Sequence, residues 1–252
     1  MLDLQKASMW KRISAFLFDI IITGILIVGV AFLLSVILGY DGYSDRMQGC
    51  YDRYEAEYGV VFNITDEEYQ TLTEEELQRY QEAYEALSAD PEAVYAYNML
   101  VNLTLVITSV SVLIGYLVLE FIIPLIFKNG QTLGKKIFGI GLMRTDGVRV
   151  STVSLFIRTF LGKYTIETMV PALIVILIVF GSAGFVGTII LGLIALLELI
   201  LVIATHTNSL IHDILAGTVA VDISSQMIFS STEEMIEYKK KVSAEKAAKQ
   251  AY

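Results

Sequence analysis

Five ionisable side chains stand where the chain itself must make them useful. Asp19, Glu120 and Glu198 are each the one charge in a long apolar stretch, residues 13–39, 99–127 and 169–205. A carboxylate at membrane depth is costly unless it is paired, hydrated or neutralised, so each is a candidate for function. Arg12 precedes Asp19 by nearly two helical turns, which puts both on one side of a helix about 10 Å apart along its axis. Glu120 and Glu198 fall within about 12 Å of the Lys128 and Thr205 ends of their stretches on helical rise, so the three acids share a depth band. Asp213 follows the last apolar stretch in the polar segment His206 to Asp213 and is placed to close onto Arg12. Two chemistries fit. The acids line a cytoplasm-facing cavity that takes a cation or a proton, because carboxylates kept from bulk water titrate nearer neutrality. Alternatively, Arg12 clamps Asp19 or Asp213 and fixes the packing of the helices.

Other chemistries find no support in the residue types. Cys50 is the one cysteine, and His206 and His212 do not have metal-ligand spacing. No Ser-His-Asp set, paired cysteines or HExxH helix occurs. Gly130 to Lys136 superficially resembles a phosphate loop, but three residues separate its glycines and no Ser or Thr follows the lysine. The expectation is a protein that is not an enzyme, with no cofactor, no metal centre and no nucleic-acid partner.

The elements that position these groups follow from the apolar runs. The chain has 252 residues, is 55% hydrophobic and has a mean hydropathy of +0.61. A span needs about 20 apolar residues, so the first two runs each make one crossing, while the third is too long for one. Gly181-Ser182-Ala183-Gly184 supplies a turn that divides it. The expected fold is all-α and membrane-embedded, with four transmembrane helices at about 13–39, 99–127, 164–181 and 185–205. Residues 152–163 read as a short amphipathic helix in the headgroup region, with Val153, Phe156, Ile157, Phe160 and Leu161 on one side and Arg158 and Lys163 off it.

Charge gives the orientation. Of 18 Lys and Arg residues, three lie in the loop 40–98, while that loop holds 15 of the 27 acids and a net charge of −12. The positive-inside rule puts both termini and the 128–163 segment in the cytoplasm and the acidic insertion outside. Within the insertion, Thr65 to Glu68 and Thr73 to Glu76 fit capping boxes, Leu77, Tyr80, Tyr84 and Leu87 make an apolar stripe, and Pro91 starts a helix that continues into the second span. The insertion is either a solvated cap on the outer helix ends or a face that attracts cations or a partner. On the other side, Ile137 to Arg144, Thr145-Asp146-Gly147 and Val148 to Val150 read as a small cytoplasmic β-hairpin. The tail 223–252, with its glutamates ahead of its lysines, reads as a charged helix.

Three segments together resemble the RDD-domain family: Trp10 to Asp19, Gly130-Gln131-Thr132-Leu133-Gly134-Lys135-Lys136, and Ser209 to Thr218 with His212 and Asp213. The arginine and two aspartates for which that family is named map to Arg12, Asp19 and Asp213, within a transmembrane domain over 1–222. The resemblance implies a small multi-pass protein of a bacterial cell membrane and extends to transport, including Na⁺/H⁺ exchange, proposed for some members. The expected function is ion- or proton-coupled transport of a cation or small solute, with Asp19, Glu120 and Glu198 binding the ion and Arg12 and Asp213 gating. The competing expectation is a non-enzymatic subunit that docks a membrane-protein partner, or a second copy of itself, through the acidic insertion or the hairpin.

Overall fold

The computed structural model describes residues 5–127, 129–179 and 183–250, the last five of these as backbone only. Helix α1 covers Met9–Leu38, α2 Tyr40–Tyr58, α3 Asp66–Gln70, α4 Glu74–Ala89 and α5 Pro91–Tyr116. After α5 come a π-helical segment, Leu117–Ile122, and α6, Ile123–Ile126. Then follow α7 (Leu133–Ile137), β1 (Ile140–Arg144), α8 (Thr152–Phe156), a second π-helical segment (Ile157–Met169) and α9 (Val170–Val179). The chain ends with α10 (Gly184–Ala204), α11 (Ile211–Ala216), β2 (Thr218–Asp222) and α12 (Thr232–Gln250).

Four continuous helices are long and apolar enough to cross a bilayer: Met9–Leu38, Pro91–Ile126, Thr152–Val179 and Gly184–Ala204. Their side chains face outward in a way water would not tolerate. Ile25, Val28, Phe32 and Ile37 on α1, and Leu193 and Ile203 on α10, are largely exposed, which is the surface a helix shows to lipid. The third of these helices corrects the expected boundaries. It begins at Thr152, not 164, so residues 152–163 are its first turns and not a separate helix. The turn expected at Gly181-Ser182 lies outside the described residues.

Prolines explain the two π-helical segments. Pro124 and Pro171 lack the N–H that would bond the carbonyls of Glu120 and Glu167 four residues back, and the preceding turns widen to accommodate them. The freed carbonyl of Glu120 accepts instead from Thr159 Oγ1 at 2.9 Å, tying the second span to the third.

The chain divides into two compact units, Met1–Ile27 with Val112–Tyr252, and Val28–Ser111. In the second unit both capping boxes form: Thr65 Oγ1 accepts from Glu68 N and Thr73 Oγ1 from Glu76 N, and each glutamate reaches back to its threonine. Pro91 starts α5 as expected, with Asp90 Oδ1 accepting from Glu92 N at 2.8 Å. Two details differ from the sequence reading. The buried face of α4 runs through Ala83 and Leu87, with Tyr84 turned outward, and its partner is α2, a helix not anticipated from the sequence. Met47, Cys50, Leu87, Ala93 and Ala96 form the core there, with Tyr51, Tyr54 and Phe62 packed on it.

In the first unit the Asp146-Gly147 turn closes locally, with Arg144 N donating to Val148 O at 2.8 Å and one bridge between Met143 and Arg149. The sheet itself is not that hairpin. β1 pairs antiparallel with β2, Ile140 opposite Asp222 through Arg144 opposite Thr218. A purely local partner would leave the apolar face of β1 uncovered, whereas β2 completes a core of Ile140, Leu142 and Ala220 with Ala7 and Ala15. The tail packs on the same module: Phe229 O accepts from Arg149 N at 2.8 Å before α12 begins.

Candidate functional site

The first unit encloses a cavity of about 520 Å³, a size typical of small-molecule sites. All five of the singled-out residues, Arg12, Asp19, Glu120, Glu198 and Asp213, line it. So do five ionisable or imidazole side chains that were not given a role from sequence: Arg158, Lys163 and Glu167, with Lys135 and His212 known only from their motifs.

The pairings decide which groups are spent on structure. Asp213 is almost fully buried and is held by Arg158 Nη1, with Arg12 Nη2 at 3.7 Å on its other oxygen. Thr218 Oγ1 accepts from Arg158 Nη1 at 2.8 Å and lies 3.2 Å from Asp213, closing a three-way contact among the third span, α11 and β2. Burial works against the Asp213 carboxylate, but Arg158, His212 and Arg12 outweigh it and hold the acid well below its usual range. Arg12 thus lies beside Asp213, one of its two expected partners, and Arg158 is the closer cation.

Asp19 is not in an ion pair among the described residues. Its Oδ2 accepts from Thr132 Oγ1 at 2.5 Å and its Oδ1 from Gly134 N at 2.7 Å, so it anchors the first turn of α7. Thr132 Oγ1 also accepts from Lys135 N at 3.3 Å. The motif spacing follows from this contact. A Cβ on Gly134 would collide with the carbonyl of Ala15, so glycine lets α7 lie against α1, and Gly130 takes φ 62°, where a side chain would be strained.

Glu120 is buried and pairs with Lys163 Nζ at 2.7 Å. The amphipathic pattern expected over 152–163 is present: Val153, Phe156 and Leu161 face outward, and Arg158 and Lys163, off that side, face the cavity. In a bilayer the apolar face belongs outside.

His212 Nδ1 lies 2.7 Å from Glu167 Oε2, and the His212 backbone N–H donates to Glu167 Oε1 at 2.8 Å. Burial, followed by the Arg158 guanidinium, pushes the imidazole down to about 4, so at neutral pH it is uncharged and donates from Nδ1. Glu167 in turn touches Glu198. Glu198 Oε2 accepts a long bond from Ile211 N at 3.4 Å, and its Oε1 is buried without a hydrogen-bond partner.

Lys135 differs from the other cations of the cavity. Its neighbours are Lys163, Glu120, Arg158 and Asp19, but no acid lies within ion-pair distance among the described residues. Burial first, and then the Lys163 ammonium, push it down to about 7 from an ordinary 10.5. The unfolded chain therefore holds more protons than the folded one between these values, and this group makes stability rise with pH from about 7 towards 10.5. Thermal unfolding in detergent across that window is expected to show the rise in the native chain and a flatter profile in Lys135→Met.

One cluster with metal-like donors, Cys50, Asp90 and Glu92, lies in the second unit. Arg53 Nη2 already sits 3.4, 2.8 and 3.4 Å from Cys50 Sγ, Asp90 and Glu92, so a guanidinium occupies the place of a cation.

Four lipid-facing helices around an interlocked polar interior define a multi-pass membrane protein. The RDD family model matches residues 6–217, and the chain belongs to that family. No curated protein and no solved structure matches it.

Proposed function

We propose that the chain is a proton-coupled transporter of a cation or small solute, working through the cavity of the first unit. The observation that carries this reading is Glu198, whose Oε1 is buried, unpartnered and beside Glu167 in a cavity reached by four basic side chains. A carboxyl that faces another with no cation between them is a place to take up and return a proton. Asp19 and Glu120 support the site differently: the first is engaged by α7 and the second by Lys163, so they shape the cavity and its field. Arg12, Asp213 and Arg158 hold the elements that would move in gating. The protein would sit in a bacterial cell membrane with both termini in the cytoplasm and the acidic helices outside, in keeping with the distribution of its lysines and arginines.

Purified protein in liposomes with an entrapped pH dye, given Na⁺, K⁺ and Li⁺ pulses, tests the reading. A pH change that requires the protein and falls to the level of empty vesicles in Glu198→Gln is expected. A flat trace from folded, inserted protein would overturn it and favour the second reading, a non-enzymatic docking subunit. That reading draws on the second unit, where α2 and α4 build a core of their own and present an acidic surface that transport does not require.

A further inference from the structure

Among the described residues two ionisable groups of the cavity are incompletely partnered, Lys135 with no acid at ion-pair distance and Glu198 with no hydrogen bond to its buried Oε1, and the two are of opposite charge type. Asp213 is matched by Arg158 and Arg12, Glu120 by Lys163, Glu167 by His212, and Asp19 by Thr132 and the Gly134 N–H. Lys135 and Glu198 remain. Both line the cavity, yet they are not within ion-pair distance of one another, so neither neutralises the other.

The surroundings sharpen the contrast. The largest charged influence on Lys135 is another cation, Lys163, with Arg158 adding to it. The charged neighbours of Glu198 are acids, Glu167 and Asp213. Lys135 also has the acids Glu120 and Asp19 near it, but neither lies at ion-pair distance, so each end is left open to a counter-charge arriving from the cavity. Arg158, itself 3% exposed, also leaves its Nε without a hydrogen-bond partner. A simple metal cation would answer only the acidic end, and a simple anion only the basic end.

We infer that the cavity binds a small dipolar solute, one molecule carrying both a carboxylate and an ammonium, with the carboxylate towards Lys135 and the ammonium towards Glu198 and Glu167. The inference deepens the transport reading and rests on it for the fate of the solute, but not for its binding. The cavity wall is largely apolar and includes Ile13, Phe16, Ile20 and Val202, which suits a solute with a short hydrocarbon spacer between two charged groups.

Calorimetric titration of the whole protein in lipid nanodiscs tests this with five probes: glycine, β-alanine and γ-aminobutyrate as dipolar solutes of increasing spacing, and acetate and methylammonium as single charges. At least one dipolar probe is expected to bind, with both single-charge probes weaker by about tenfold or more. Lys135→Gln and Glu198→Gln are each expected to weaken the dipolar probe by a similar factor while unfolding at a temperature close to that of the native chain. Absence of binding by all three dipolar probes would overturn the inference. Equal binding of acetate or methylammonium would do the same, as would unchanged binding in both variants. Proton movement in the liposome assay separates the two proposals: flux without dipolar binding leaves transport standing and removes this ligand, whereas binding without flux keeps the ligand site and removes transport.

Discussion

Asp213→Ala is expected to destabilise the protein by about 3–5 kcal/mol, because it leaves the Arg158 guanidinium buried with no counter-charge. Arg158 would retain only the 2.8 Å bond to Thr218 Oγ1, and Arg12 would lose its carboxylate as well. Chemical unfolding in detergent measures the loss. The companion test is the double replacement Asp213→Ala with Arg158→Met, which removes both buried charges of the closer pair. Its cost is expected to fall clearly below the sum of the single costs, since much of each single cost is the penalty of a stranded charge. Additive costs would mean that the two side chains stabilise the fold independently.

The second large effect is expected at a residue with no side chain. Gly162 lies where the third span meets α11, and a Cβ there would fall inside van der Waals distance of His212 Cα and Cβ. The neighbouring atoms are backbone or next to it, so they cannot swing aside. Gly162→Ala is expected to cost about 1–3 kcal/mol or more, and to disturb the His212 to Glu167 hydrogen bond and the Asp213 ion pairs at once, because α11 carries both His212 and Asp213. Gly192→Ala is the control: nothing lies within 4 Å of a Cβ at Gly192, and this replacement is expected to stay within about 0.5 kcal/mol of the native stability. Unfolding midpoints of the two variants, compared side by side, decide the matter. A small effect at Gly162 would contradict the close approach on which the site depends.

Much of the frame was legible before any coordinates. Apolar length alone separates the four crossings, and the Thr65 and Thr73 boxes and Pro91 mark helix starts because their chemistry is local. The Arg12 to Asp213 contact was also legible, from the place of Asp213 in the polar segment after the last apolar stretch. What escaped was non-local or depended on the solvent assumed. The Asp146-Gly147 turn is real, but the longer pairing of β1 is with a strand more than 70 residues away, chosen by how the apolar faces of Ile140 and Leu142 are covered. Arg158 and Lys163 are legible as lying off the apolar side of their helix, but what that other side faces is not legible. Surrounded by lipid, the same helix turns them in.

Glu167 was missed for another reason: it lies just before the stretch counted as charge-poor. One sequence signal would have found it. Glu120 and Glu167 each stand four residues before a proline, Pro124 and Pro171, and each sits in a π-helical segment that lines the cavity. A proline that frees the carbonyl of an intramembrane glutamate marks a turn that has been opened for a purpose. Glu198 stands out in the sequence as the one charge of its apolar stretch, whereas Lys135, part of a motif, is recognisable only by subtraction, once the other cations around the cavity have found their partners.

The charged residues of the cavity divide into a framework and a working pair, and one comparison tests that division directly. Initial proton flux into liposomes and unfolding midpoint in detergent are measured for Glu198→Gln and Asp213→Asn on the same preparations. The account predicts that Glu198→Gln loses flux while keeping a near-native midpoint, and that Asp213→Asn lowers the midpoint sharply. Native flux in a well-folded Glu198→Gln protein would contradict it.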